Sequence, residues 1–145
     1  MVTIKELNNN DVDLCFELDS NTISLWSKKQ WTNEFNKSSK NIFGLLLFGE
    51  IIGVCVYQIV IDQAEINYFS VKEKFRGLGY GTRLILFLIN QCEIAGVKSL
   101  LLEVSDENLI AKNFYNKFDF LTVGVRKNYY KDGSNALLKE KKFNK

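Results

Sequence analysis

The sequence contains no histidine and no proline, and it has only three cysteines among its 145 residues. Without histidine, the chain can form no Ser-His-Asp triad, no Cys-His pair, no histidine-ligated metal site and no histidine general base. Cys15, Cys55 and Cys92 are odd in number and widely spaced, and none of them forms a CxxC pair. This spacing disfavours a disulfide framework or a zinc site and predicts buried free thiols. Proton transfer must therefore use carboxylates, tyrosines, lysines, thiols or water.

A strong excess of one charge and a long apolar run are also missing. The net charge is +2, with 46% apolar and 25% charged residues, which is the usual balance of a globular domain. This composition gives no reason to expect nucleic acid or a membrane as a partner. No window approaches the roughly 18 apolar residues of a membrane span, and the first residues, MVTIKELNNN, do not resemble a signal peptide. We therefore expect a single domain over residues 1–145, located in the cytoplasm.

Hydrophobic periodicity predicts an α/β protein with the element order β-α-α-β-β-β-α-β-α-β-β. About seven strands are predicted. VTIKEL and QAEINYFSV alternate, VKSLLLEV reads as a buried strand, and FLTVGVRKNYY predicts a strand that continues through Tyr130. Gly49-Glu50 and the segment 131–134 are typical hairpin turns, so the sheet should be mixed and mainly antiparallel. Helical spacing predicts four helices: one from Val12, one after the capping box Ser27/Gln30, one ending near Gly96, and one from Asn108 to Lys117.

The stretch KFRGLGYGTRL, residues 74–84, places three glycines at alternate positions directly before an apolar helix. Glycines let the backbone curl so that successive N–H groups point inward, and a helix N-terminus favours anions. Arg76 adds a positive charge. A dinucleotide fingerprint and a P-loop do not fit, because Leu84 stands where the third glycine would be and Thr82-Arg83 follow Gly81. The stretch predicts a phosphate cradle, with a tight strand-to-helix corner as the alternative.

The spacing Arg76-x-x-Gly79-x-Gly81 resembles the pyrophosphate-binding signature of the GNAT N-acetyltransferase family. The element order is similar to the GNAT fold, in which a twisted sheet of about seven strands is flanked by four helices. The resemblance implies acetyl-CoA as cosubstrate and no metal. It implies pyrophosphate binding by residues of the loop, which are Arg76, Gly77, Leu78, Gly79, Tyr80, Gly81 and Thr82. It also implies that Phe69, Ser70 and Val71 pair with the pantetheine arm much as an added strand would.

Glu103 is the first candidate for a general base. It interrupts the apolar run of LLLEVSDEN, where burial would raise its pKa and suit it to accept a proton. The alternative is a solvated carboxylate at a strand edge. Asp62 and Glu65 are weaker rivals, while Asp106 and Glu107 are expected in a turn.

Tyr115 is the candidate acid, because its phenol can donate a proton to a departing thiolate. Asn108 lies seven residues earlier in the predicted helix, so the two side chains should share a face with Ala111 between them. A small residue between an amide and a phenol leaves room for the narrow polar chain of a ligand to lie across the helix. The alternative is a tyrosine packed in the core.

Four segments narrow the resemblance to the bacterial ribosomal-protein-alanine N-acetyltransferases: LWSKKQW, LLLEVSDEN, KNFYNKFDF and RKNYY. The resemblance implies that Glu103 acts as base, that Tyr115 acts as acid and that Asn108 binds pantetheine. It also implies that a hairpin segment lies beside the slot for the acceptor peptide, with Trp26 on the opposite side of that slot. The hairpin residues are Asn128, Tyr129 and Tyr130. Partial core packing is the alternative for Trp26 and these tyrosines.

The chain departs from that pattern at several positions. Ser105, followed by Asp106 and Glu107, stands where an arginine is usual, and Ser134-Asn135 replaces an acidic pair after the hairpin turn. Leu25 replaces a proline, and Phe118-Asp119-Phe120 replaces Leu-Gly-Phe, where aspartate can adopt the left-handed backbone conformation at some cost.

Three functions follow from these patterns. The first is an acetyl-CoA-dependent transferase for a protein N-terminus, with a ribosomal protein as a possible acceptor. The second acetylates a small amine such as a polyamine or an amino sugar, although such sites commonly carry several acidic groups and this hairpin offers aromatics and an amide. The third is a non-catalytic acetyl-CoA-binding regulatory module, which the presence of both Glu103 and Tyr115 disfavours.

Overall fold

A computed structural model describes residues 1–143, so the last two residues of the predicted 1–145 domain lie outside the described residues. The helices are α1 (Val12–Ser20), α2 (Lys28–Phe35), α3 (Tyr80–Ala95) and α4 (Leu109–Asn116). The strands are β1 (Val2–Glu6), β2 (Asn41–Leu47), β3 (Glu50–Val60), β4 (Gln63–Val71), β5 (Ser99–Ser105), β6 (Leu121–Arg126) and β7 (Ala136–Lys142). This element order confirms the order predicted from the sequence.

The strands form a seven-stranded sheet in the order β1-β2-β3-β4-β5-β7-β6. The pairs β1–β2, β2–β3, β5–β7 and β6–β7 are antiparallel. β4 runs parallel to β5, and their pairing joins Gln63–Glu65 to Ser99–Leu101. The prediction of a mixed, mainly antiparallel sheet is therefore confirmed.

The described chain forms two compact units, of which the first comprises Met1–Gln58 and Asn67–Gln91. In this unit α1 and α2 contribute Cys15, Leu18, Trp31 and Phe35 to a buried cluster that also contains side chains of β2, β3 and β4. The predicted capping box opens α2, because Ser27 Oγ accepts the Gln30 N–H at 3.1 Å and Gln30 Oε1 accepts the Ser27 N–H at 2.8 Å. These bonds satisfy two amides at the helix start.

The second unit comprises Ile59–Ile66 and the chain from Cys92 onward. Here α4 begins at Leu109, and Asn108 is its N-cap. β6 ends at Arg126, so the prediction that this strand continues through Tyr130 was wrong. Asn128 has a φ of 53°, in the left-handed region, and an extended strand cannot continue through such a residue. Asp119 also adopts the left-handed conformation that the sequence suggested for it, with a φ of 67°.

The three cysteines are buried as thiols, which confirms the prediction made from their spacing. Burial raises the pKa of Cys15 to about 12 and that of Cys92 to about 11. Both thiols therefore stay protonated near neutral pH. Within residues 1–143, no helix is both long enough and apolar enough to cross a membrane.

Candidate active site

The glycine-rich loop joins β4 to α3 in the first unit. Gly77 and Gly79 have φ values of 76° and 88°, and a Cβ added at either position would meet no heavy atom within 4 Å. Glycine is therefore favoured at these two positions by the left-handed backbone conformation, and not because a side chain would clash with neighbouring atoms. The first intrahelical bond joins the Arg83 N–H to the Gly79 carbonyl at 3.2 Å. The amides of residues 80–82 lie in the first turn, where an α-helix supplies no backbone acceptor, so this end of α3 suits an anion.

Arg76 lies at the start of this loop and is exposed. Its Nε donates to the Val71 carbonyl oxygen at 3.0 Å, which ties the guanidinium to the end of β4. Arg76 belongs to none of the ion pairs recorded among residues 1–143. Its positive charge is therefore held beside the loop without a carboxylate to neutralise it.

The end of β4 carries the three residues predicted to pair with pantetheine. Phe69 is half-buried, and Ser70 and Val71 are buried. Ser70 Oγ is the buried side-chain oxygen that finds no hydrogen-bond partner within residues 1–143. A buried hydroxyl without a hydrogen-bond partner lowers the stability of the fold by about 1–3 kcal/mol. A polar ligand group that bonded to Ser70 Oγ would recover this stability.

Trp26 is half-buried and packs against the aromatic cluster of the first unit. Its ring centroid lies 4.8 Å from that of Trp31 and 5.5 Å from that of Tyr68. This is the partial core packing that the sequence left open as an alternative. Trp26 is therefore only partly accessible at the position where the resemblance implies a contact with the acceptor.

Asp19, which the sequence analysis did not single out, holds the Trp26 segment in place. It is fully buried, and its carboxylate accepts the backbone N–H groups of Leu25 and Trp26 at 2.9 Å each and the Trp31 indole N–H at 3.0 Å. The sequence did contain a signal for this role. Asp19 lies on the apolar face of α1, and a charged side chain that is buried there requires hydrogen-bond partners.

Glu103 lies on β5 in the second unit and is exposed, so the prediction that it is buried was wrong. β5 alternates at this point: Leu102 and Val104 are buried, and the residue between them points to the other face. Glu103 Oε2 lies 3.9 Å from Arg126 Nε. The carboxylate therefore has a cationic neighbour and access to solvent.

Tyr115 and Asn108 are both in the second unit, at opposite ends of α4. Tyr115 is buried, with its ring 5.2 Å from Phe114 and 5.5 Å from Phe120 between centroids. Asn108 precedes the helix, and its Oδ1 accepts the Ala111 N–H at 3.1 Å. Because Asn108 is the N-cap, helical spacing does not fix which way its side chain points relative to Tyr115.

The segment Asn128–Tyr130 lies in the β6–β7 connection of the second unit. The Arg126 guanidinium carbon lies 5.5 Å from the centroid of the Tyr129 ring, and Tyr129 packs edge-on against Tyr130. Burial, followed by the negative charge of the Glu103 carboxylate, raises the pKa of Tyr130. The phenol of Tyr130 therefore remains protonated throughout the neutral range.

The remaining candidates occupy less specialised positions. Asp62 forms an exposed ion pair with Lys98 at 3.6 Å, and Glu65 is exposed on β4. Asp106 and Glu107 lie in a turn between β5 and α4, as predicted. Within residues 1–143, no three His, Cys, Asp or Glu side chains are grouped so that they could hold a metal ion.

A pocket of about 450 Å³ in the first unit contains none of the predicted site residues. It is lined by α1, the start of β3 and the residues that follow β4, which are Leu14, Glu17, Leu18, Asn21, Thr22, Gly49, Glu50, Ile51, Lys72, Glu73 and Lys74. Its lysines lie among carboxylates, one of which, Glu50, pairs with Lys72 at 3.0 Å.

The fold and the glycine loop define an acyltransferase of the kind that the sequence resembles. Residues 8–120 match the model of the acetyltransferase (GNAT) family. The chain belongs to this family, and it is an acyltransferase enzyme.

Individual relatives give more detail. A [ribosomal protein bS18]-alanine N-acetyltransferase from Haemophilus influenzae is 30% identical over 131 residues, which cover 90% of this chain and 88% of that protein. The crystal structure of the ribosomal-protein-S18-alanine N-acetyltransferase from Escherichia coli is similar with a TM-score of 0.93 and 26% identity, covering 100% of this chain and 96% of that one.

A third similar structure contains a ligand. An N-acetyltransferase from Thermoplasma acidophilum, solved in complex with coenzyme A, has a TM-score of 0.80 at 18% identity, and the match covers 99% of each chain. This likeness supports the fold assignment. The predicted family and fold are both confirmed.

Proposed function

We propose that this enzyme transfers acetyl from acetyl-CoA to the N-terminal α-amine of a protein, with a ribosomal protein that begins with alanine as the acceptor. The glycine loop is the observation that carries the proposal for the donor. The relatives named as bS18-alanine N-acetyltransferases carry the proposal for the acceptor. Ribosomal proteins are made in the cytoplasm, which is where the enzyme would act.

The residues of the first unit fit coenzyme A. The first-turn amides of α3 and the unpaired Arg76 charge suit the pyrophosphate, and the open space at Gly77 and Gly79 lets it approach the backbone. The unpartnered hydroxyl of Ser70 suits a polar group of the pantetheine arm. In the second unit, Asn108 already uses its Oδ1 as a helix cap. Its proposed contact with pantetheine would therefore come from Nδ2.

The proposed chemistry uses two residues of the second unit. Acetyl-CoA supplies an acetyl group that is activated as a thioester. Glu103, directly or through a water molecule, takes a proton from the acceptor amine as the amine nitrogen bonds to the carbonyl carbon. Tyr115 donates its phenolic proton to the sulfur as the carbon–sulfur bond breaks. Since Glu103 is exposed, it would accept the proton as a carboxylate in contact with solvent, beside Arg126.

An α-amine suits a single carboxylate base better than a lysine side chain does. With a reference pKa near 8, roughly a tenth of an α-amine is neutral at pH 7, against under about a thousandth of a lysine amine with a pKa near 10.4. A single carboxylate can therefore serve an N-terminal amine with less help from other groups than a lysine amine would need.

The test is to incubate the enzyme with acetyl-CoA and a panel of peptides, follow thiol release, and locate the acetyl group by mass spectrometry. We expect a peptide beginning with alanine to be acetylated on its α-amine and the same peptide with a blocked N-terminus to be left unchanged. Acetyl found only on lysine side chains, or a preference for polyamines over every peptide, would contradict the proposed acceptor and leave acetyl-CoA binding untouched.

A further inference from the structure

Two of the stretches in which the chain departs from the pattern it resembles contact each other in the second unit. Ser105 Oγ donates to Ser134 Oγ at 2.8 Å, and the Asp106 N–H donates to the Asn135 carbonyl oxygen at 3.0 Å. In the resembled pattern an arginine would stand at one of these places and an acidic pair at the other. This chain replaces that combination of charges with hydroxyls and an Asp–Asn pair.

Asp106 and Asn135 are joined by further hydrogen bonds, and we call the two residues the Asp106–Asn135 clamp. Asp106 Oδ1 accepts the Asn135 backbone N–H at 3.1 Å, and Asp106 Oδ2 accepts from Asn135 Nδ2 at 2.9 Å. The other end of the same amide, Asn135 Oδ1, accepts the Asn128 N–H at 2.9 Å. The turn after β5 is thereby connected to the first residue of the Asn128–Tyr130 segment.

This connection reaches a residue in the left-handed backbone region. Asn128 adopts the left-handed conformation, which asparagine tolerates better than most residues but still at some cost, and the bond from its N–H to Asn135 Oδ1 favours it. The far end of the segment is held separately, since the Tyr130 N–H donates to the Ser134 carbonyl at 3.2 Å and the Gly133 N–H donates to the Tyr130 carbonyl at 2.9 Å. Loss of the clamp would free the Asn128 end alone.

We propose that Asp106 and Asn135 are positioning residues for the acceptor, acting through the Asn128–Tyr130 segment. The proposal rests on the proposed function, which assigns that segment to acceptor binding. The clamp holds Asn128 and the following tyrosines in the conformation that meets the peptide. We expect the clamp to leave the binding of acetyl-CoA unchanged, because its hydrogen bonds join Asp106, Asn128 and Asn135 and not the glycine loop or the end of β4.

The direction of the hydrogen bonds provides a reciprocal test. Asn135→Asp would bring a second carboxylate against Asp106. Asp106→Asn would replace one accepting oxygen with an NH₂ group and so bring its N–H donors against the Nδ2 donor of Asn135. Each single variant therefore sets like groups against each other. The double variant Asp106→Asn/Asn135→Asp pairs an amide with a carboxylate again and still offers an oxygen to the Asn128 N–H.

The experiment measures KM for an alanine-initiated peptide, KM for acetyl-CoA and melting temperature in the wild type, both single variants and the double variant. We expect each single substitution to raise the peptide KM by about tenfold or more with the acetyl-CoA KM unchanged, and the double variant to return within about threefold of wild type. Asp13→Asn removes the same charge from an exposed aspartate of α1 and should alter neither constant.

A merely structural role predicts a different result. In that case both KM values would change together with the melting temperature, or the double variant would show no recovery, and either result would overturn the proposal. Single variants with an unchanged peptide KM would overturn it as well, and the proposed function would stand. A wild-type enzyme that leaves every peptide unmodified would overturn both the proposed function and the clamp.

Discussion

At the scale of single residues, the second unit contains an exposed carboxylate and a buried phenol. Glu103 is exposed on β5 with Arg126 as neighbour, and Tyr115 is enclosed by Phe114 and Phe120. These environments differ, since the carboxylate is open to solvent and to an incoming amine, whereas the phenol lies among aromatic rings. The proposed assignment of base and acid follows this difference.

Tyr115→Phe should lower turnover by about a hundred- to ten-thousand-fold, because it removes only the proton for the departing thiolate. The affinity for acetyl-CoA should change little. Tyr57→Phe provides a matched control, since Tyr57 is a second buried tyrosine that stacks on Phe43 of the first unit. Steady-state kinetics and isothermal titration would check both variants. Near-normal turnover in Tyr115→Phe would contradict the role of Tyr115 as acid and leave it as a tyrosine that only packs in the core.

Glu103→Gln should keep the shape of the side chain and lose the base. Its residual rate should rise with pH, by about tenfold per unit below an amine pKa near 8, because the neutral fraction of the acceptor rises in that proportion. Glu65→Gln tests the rival carboxylate and should behave like the wild type. The pH–rate profiles of the three proteins would decide between the candidates, and a loss confined to Glu65→Gln would reverse the assignment.

At the scale of elements, backbone groups at the ends of helices and loops determine what each segment can bind. The start of α3 has first-turn amides without intrahelical acceptors, and Gly77 and Gly79 hold the preceding loop in left-handed conformations. The α1–α2 connection is organised differently, since the Asp19 carboxylate takes up two of its amides. The first arrangement leaves donors for a ligand, and the second uses them internally.

Gly79→Ala should weaken acetyl-CoA binding, because alanine resists the left-handed conformation by about 1–2 kcal/mol and would shift the loop. Gly96→Ala is the matched control: Gly96 follows the end of α3, has a similar φ of 76°, and an added Cβ there would also meet nothing within 4 Å. Both variants should lose similar stability, and only Gly79→Ala should lose ligand affinity. Equal affinities measured by calorimetry would contradict a phosphate-binding role for this loop.

Asp19→Ala should destabilise the protein by about 3 kcal/mol, because it leaves two backbone N–H groups and the Trp31 indole N–H without their buried acceptor. Asp13→Ala, an exposed aspartate on the same helix, should cost far less. Urea denaturation of the two variants would measure the difference. A cost for Asp19→Ala no larger than that for Asp13→Ala would show that the carboxylate does not stabilise the segment.

At the scale of the whole molecule, the family assignment makes a prediction about stability. A ligand that binds only the folded state at one hundred times its dissociation constant adds about 2.7 kcal/mol. For a chain of 145 residues, acetyl-CoA at that concentration should raise the melting temperature by about 5–10 °C. Differential scanning fluorimetry with acetyl-CoA, and with acetate as control, would check this. An unchanged melting temperature would contradict acetyl-CoA binding while leaving the fold intact.

The sequence by itself determined the features that depend on neighbouring residues. The order of strands and helices, the capping box of α2 and the turn at Gly49 were predictable, because local backbone preferences and the period of apolar residues specify them. The glycine loop belongs to the same group. Its left-handed residues and the helix that follows lie within a few positions of one another.

Only the tertiary structure decided which distant side chains meet. The exposure of Glu103, the three donors around Asp19 and the pairing of Asp106 with Asn135 were not predictable from local patterns. The physical reason is that burial and hydrogen bonding of a polar side chain depend on the segment packed against it. That segment lies 29 positions away for Asn135 and Asp106, and local periodicity contains no information at such a separation.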